Sequence, residues 1–365
     1  MKWMEMAKRT LAMGAVFLTI AAAARPVKAQ SLSADTIGLF PKDVGEFAYA
    51  DLKKARTMKW YPALQEQMLP ERFKQFEKFL ASAGVDPNTQ VNELAWGLVA
   101  ETMAKPDDPN APAPTTGAAT PAPGAKAAAP VTANTAGSVP SSEEIVGIAL
   151  GNYNPDSTEA YFKQQKLPTI KVREFTLYAF GSGAGASDLF FFFIDGSKAA
   201  FGHRDVLEKM IDIRYGGQDG LLRNDSMFSL INEANGSGIV WAVLDPAYTR
   251  LAMGQLAPEV QQFPEAQKLV QRMKSMIISA DASSGLQGKF QAVCGSTEDA
   301  NTLAQLMSAG LLYKKYQAAK DNPDLGQLLD QTNVTPSGDR VVIRMNVSDD
   351  QMAALIRKNT FAFKM

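Results

Sequence analysis

The chain has almost nothing with which to staple itself or hold a metal. It contains one cysteine, Cys294, and one histidine, His203. A lone cysteine excludes an internal disulfide, so the fold must be held by packing. A lone histidine excludes multi-histidine zinc sites and the two-histidine helical metalloprotease motif. Positive charge is not in surplus either: 37 Lys and Arg stand against 38 Asp and Glu. That balance argues against a nucleic-acid partner, whose binding rests on neutralising phosphates, and against docking on anionic lipid. Beyond the N-terminus no run of uncharged apolar residues is long enough for a membrane-spanning helix, so no transmembrane segment is expected there.

The N-terminus has what the rest lacks. Lys2, Lys8 and Arg9 precede an apolar run from Leu11 to Ala24, and Val27-Lys28-Ala29 follows. A basic start, an apolar middle and small residues three and one positions before a break form the signature of a cleavable secretory signal. The apolar run falls short of the roughly 20 residues of a membrane span. The expectation is a signal peptide over residues 1–29, cut between Ala29 and Gln30, with the mature chain periplasmic or extracellular. Removing Lys2, Lys8, Arg9, Arg25 and Lys28 together with Glu5 takes the net charge from −1 to −5.

Residues 105–142 are dominated by Ala, Pro, Thr and Gly and contain no aromatic residue. Such a low-complexity segment buries too little apolar surface to offset the entropy of ordering its backbone, and disorder is expected. It interrupts a weak internal repeat. Strand Glu46–Leu52, a helical region to Ala83 broken at Pro62 and Pro70, and strand Leu94–Val99 precede it. Strand Ile145–Leu150, a helix from Asp156 to Gln165, three further strands and a helix from Arg204 to Ile213 follow. A second series opens with strand Ile239–Asp245, then helices to Met273, strands Met276–Ala280 and Gln287–Cys294, a long helix Glu298–Ala319, strand Arg340–Val347 and a helix Asp350–Lys358. The predicted fold class is α+β. Two related units, residues 30–104 with 143–222 and residues 223–365, carry mixed, mostly antiparallel sheets packed by helices.

No motif specifies a catalytic, cofactor or metal site. Gly181-Ser182-Gly183-Ala184-Gly185-Ala186 has the spacing of a dinucleotide loop, but the apolar strand Leu189–Ile194 follows it where a helix is required. That strand is apolar on both faces, which suits a covered central strand, or an apolar ligand pocket. His203 sits at a strand-to-helix junction without a nucleophile beside it. Asp51 and Asp245 close the first strands of the two units, where capping the next helix is the simpler role. Cys294 reads as a small buried hydrophobe. Trp60-Tyr61, just before Pro62, is the best candidate for exposed ligand-stacking rings.

The chain resembles a loose class of exported bacterial proteins of unknown function. The resemblance rests on Leu39–Val44 entering a strand that ends Ala50-Asp51-Leu52, on Phe201-Gly202 entering a helix, and on Asn224–Phe228 leading to the second unit. It implies no activity. The function expected from the residues is a non-catalytic binding or interaction protein, with an apolar ligand or an envelope protein as partner. The alternatives are a hydrolase using two of Asp51, Asp195, Asp245 and Asp281, and a structural envelope component.

Overall fold

The computed structural model describes residues 31–68, 71–82, 84–100, 143–180, 188–256, 264–281, 285–321 and 323–358. The leader, the Ala29–Gln30 junction, the segment 105–142 and the glycine-rich 181–186 lie outside them.

In chain order the elements begin with α1 (Ala34–Ile37), β1 (Val44–Asp51), α2 (Leu52–Ala55), α3 (Tyr61–Met68), α4 (Glu71–Ser82), α5 (Pro87–Gln90), β2 (Val91–Ala100) and β3 (Glu143–Gly151). Next come α6 (Pro155–Gln164), β4 (Thr169–Val172), β5 (Phe175–Phe180), β6 (Leu189–Phe193), β7 (Lys198–His203), α7 (Arg204–Arg214) and α8 (Asp225–Ala234). The remainder is β8 (Val240–Leu244), α9 (Pro246–Leu256), α10 (Pro264–Gln271), β9 (Ser275–Asp281), β10 (Leu286–Val293), α11 (Thr297–Asp321), α12 (Pro323–Asp330), β11 (Thr332–Ser337), β12 (Arg340–Val347) and α13 (Asp349–Arg357). The fold is α+β, as its sequence predicts. The strands join into one sheet of 12 in the order β11-β12-β10-β9-β8-β1-β2-β3-β7-β6-β5-β4, and every described pairing is antiparallel.

Two similar runs of strands meet at the pair β1–β8, where Ala48 faces Ala242. Moving outward, β1-β2-β3-β7-β6 on one side mirrors β8-β9-β10-β12-β11 on the other. Alternation sorts the side chains onto two faces. On one face Phe47, Tyr49, Trp241, Val243 and Ile277 pack under α1, α7 and α8. On the other, Ala48, Trp96, Ala242, Ile278 and Ala292 pack under α3, α9, α10, α11 and α13.

Local chemistry sets the boundaries. Asp51 and Asp245 each accept a hydrogen bond from the backbone three residues on, at Lys54 and Tyr248, and so cap α2 and α9. Ser348 and Gln351 form a reciprocal capping box at the start of α13. Pro62 lies in the first turn of α3, where its missing N–H does no harm, rather than breaking a helix. The Phe run is covered on both faces: Phe190 and Phe192 belong to the core under α7, and Phe191 and Phe193 pack with Phe162 of α6. Cys294 is buried, and burial pushes its thiol up to about 11. Two elements depart from the sequence expectation. The stretch from Asn224, read only as the approach to the second unit and given no element, forms α8, capped by Asn224. The polar stretch Thr332–Ser337, which reads as no element, pairs with β12 as an edge strand.

Candidate functional site

The C-terminal ends of β1 and β3 meet the start of β2. Asp51 lies opposite Glu93 and Val91 opposite Gly151. Here the apolar strands give way to Asp51, Arg56, Asp86, Gln90 and Glu93. Arg56, just past α2, donates from Nη2 to the carbonyls of Pro87, at 2.8 Å, and of Val91. This ties α2 to the loop that carries α5 and β2. Asp86 caps α5, accepting from the Asn88 backbone at 2.9 Å and the Thr89 hydroxyl at 2.9 Å.

Groups with displaced ionisation gather at this end. Tyr49 is fully buried and donates its hydroxyl to Glu93 Oε2 at 2.9 Å. Burial pushes the Tyr49 phenol up, and the Glu93 carboxylate adds to the shift. Glu93 is itself held above the usual carboxylate range, by burial first and by neighbouring Asp51 second, although the Tyr49 bond opposes this. Burial likewise raises Tyr61, Tyr153 and Glu77, and the Arg56 guanidinium pulls each the other way. Arg56 is therefore the positive centre of a largely acidic, phenolic neighbourhood. The Tyr153 hydroxyl, Arg56 Nε and Gln90 Oε1 are buried and meet no hydrogen-bonding group among the described residues.

Above this end α3, α4 and α5 enclose a cleft of about 350 Å³, lined by Glu66, Lys74, Glu77, Lys78, Asp86 and Asn88 among others. Glu66 is occupied by Lys74 at 2.6 Å. Glu77 is hydrogen-bonded by the Gln65 side-chain amide at 3.2 Å. The cleft thus offers a half-buried carboxyl beside the Lys78 cation.

Glu93 gives a pH test of this electrostatic arrangement. A carboxyl whose folded pKa is raised above its ordinary 4.5 destabilises the fold while charged, and the penalty is relieved as pH falls through the folded value. Glu93→Gln keeps an acceptor for Tyr49 and cannot ionise. The variant should be more stable than the parent at pH 7.5, and its advantage should shrink as pH approaches 4.5. Urea unfolding at both ends of that range checks this; an advantage that grows with acidity would contradict it.

The residues singled out from sequence are not brought together. Trp60 and Tyr61, expected at the surface, are buried at 5% and 7% exposure. The ring of Trp60 joins the core beneath α13 and its Nε1 donates to Asp349 Oδ1 at 2.9 Å. Both aromatics are apolar and their following proline starts a helix, so packing claims them. Asp51 lies level with Ile239, and Asp245 level with Gly45. Six residues of strand separate those levels, about 20 Å. Asp195 is held in its own turn by the Ser197 backbone and hydroxyl. Asp281 shares the Asp51 end but is two strands away across β8. The carboxylate raised by burial, Asp245, is at the opposite end. His203 turns its ring back onto the sheet, where Nδ1 accepts the Ile145 N–H at 2.9 Å. The neutral ring serves as a ladder acceptor there. Among the described residues no three His, Cys, Asp or Glu side chains gather as a metal site.

No family model and no curated protein matches the chain. Solved structures do. The chain is similar to TP0453. Crystal forms III and I of that protein each match at 11% identity with a TM-score of 0.47, covering 89% and 90% of this chain and 99% and 98% of theirs. At that identity and score the likeness assigns neither family nor function. No helix among the described residues is long and apolar enough to cross a membrane.

Proposed function

We propose that this is an exported, non-catalytic binding protein whose α3–α5 cleft holds a small dipolar solute of the amino-acid or short-peptide class. One observation carries the reading: Glu77, half-buried and raised by burial, faces a cleft that also presents the Lys78 cation. A carboxyl held this way gains from an incoming ammonium group, which favours its charged form. Lys78 at the same cleft supplies the counterpart for a carboxylate. Pockets of this size with a few convergent polar groups are the usual place for a small ligand. The hydrolase alternative draws no support from the placement of its four aspartates.

Isothermal titration of the purified chain with alanine and dialanine tests the reading, with methylamine and acetate as single-charge controls. Saturable binding of the dipolar probes, weakened at least tenfold in Glu77→Gln, is expected. Equal binding of the single-charge controls, or an unaffected Glu77→Gln variant, would overturn it.

A further inference from the structure

The two sides of the sheet are connected alike but covered differently. After β7, α7 packs on the Phe47–Trp241 face, with Val206, Leu207, Met210 and Ile211 in that core. After β12, α13 packs on the opposite face, placing Met352, Leu355 and Ile356 in the other core. On the Phe47–Trp241 face the core therefore stops at Ile277 of β9, and no residue of β10, β12 or β11 belongs to it.

What those three strands expose there is polar. Register places Asn333, Arg344 and Lys289 in one row across β11, β12 and β10, with Asn346 and Gln287 in the next row and Gln291 beyond. Arg344, Asn333 and Asn346 are exposed, and Lys289 and Gln291 are partly so. Lys289 and Arg344 are directly opposite each other, an arrangement of like charges that weakens a strand pair. Neither has an ion-pair partner among the described residues, whereas Arg340 on the same strand pairs with Glu233 of α8.

We propose that this polar sheet face docks an acidic polysaccharide, its carboxylates seated between Lys289 and Arg344 and its hydroxyls on the flanking carboxamides. Charge complementarity fixes the sign: two cations side by side, neither ion-paired among the described residues, gain from one anion placed between them. The carboxamides fix the class. Each Asn or Gln offers a donor and an acceptor together, which matches a sugar hydroxyl. Val342, opposite Gln291, is an aliphatic residue these strands place on the face, and it is buried at 4% exposure, so among the described residues they expose no aromatic or aliphatic anchor of the kind protein interfaces depend on. Two cations on a chain of net charge −1 are too few for a nucleic-acid backbone.

Affinity electrophoresis of the purified chain through gels containing polygalacturonate tests the proposal, with dextran and poly-L-glutamate as controls. Retardation by polygalacturonate alone is expected, falling at least tenfold in apparent affinity in the K289Q/R344Q double variant and declining with salt. The double variant should melt no lower than the parent, because it relieves a like-charge pair, so loss of binding cannot be loss of fold. Glu77→Gln should bind as the parent does, which separates this surface from the cleft. No retardation, retardation that survives in the double variant, or equal retardation by either control would overturn the proposal.

Discussion

Replacing Trp241 by alanine is expected to cost about 3–5 kcal/mol, the range for emptying a large aromatic site in a close-packed core. Trp241 lies on β8 beside β1, fully buried, with its ring 5.7 Å from Phe47 and stacked 5.5 Å from Tyr49. Tyr49 in turn holds Glu93, so the cavity would open beside the hydrogen bond that Tyr49 donates to that carboxyl. Trp241 Nε1 is buried and meets no acceptor among the described residues. Trp241→Phe discards that costly N–H while keeping most of the ring, and should lose only about 1 kcal/mol. Chemical denaturation of the two variants checks the contrast. Similar losses would mean that a phenyl ring fails to fill the site and that the unpaired N–H is not the liability argued here.

Gly202→Ala is the second large effect expected, about 3 kcal/mol, from backbone strain and close approach together. Gly202 has φ +156°, and a Cβ there would press on the Ile145 carbonyl and lie 3.0 Å from Val146 Cα. These are main-chain atoms of β3, which cannot swing aside as a side chain would. The same tight crossing explains His203. The next residue along β7 sends its imidazole to the Ile145 N–H in place of a ladder carbonyl. Gly216 supplies the control. It has φ +73° with nothing within 4 Å, so Gly216→Ala bears strain alone and should cost about 1 kcal/mol. Equal losses at the two glycines would remove the steric part of the argument.

Much of the framework was legible because it is local. Asp51 and Asp245 read as caps from their place between strand and helix, and both cap. Ser348 and Gln351 have the spacing of a capping box, a wholly local signal, and form one. Leu189–Phe193, apolar at every position, read as a strand covered twice, and it is. What was missed is settled by neighbours far away in sequence. The pattern Met227, Ile231, Ala234 behind Asn224 carried a helical signal for α8, but it was absorbed into the approach to the next strand. β11 contains Pro336, which removes a backbone donor, and only its seat at the sheet's edge makes that acceptable. The candidate site was the least legible. Glu93 reaches Tyr49 through the register of two strands, and Glu77 becomes unusual only because α3 and α5 close around it. A charged residue on the inward side of an apolar strand, as Glu93 is in Val91–Ala100, was the one signal that could have marked it.

The pairing of Ala100 with Glu143 has a practical consequence. The chain leaves β2 and re-enters β3 at adjoining positions, so the register is fixed by the strands themselves and not by the residue count between them. Closing a connection between ends already held together costs only slowly more as it lengthens. That seam is where related chains are free to differ in length, and where a fluorophore, an affinity tag or a whole passenger domain can be spliced without disturbing the sheet.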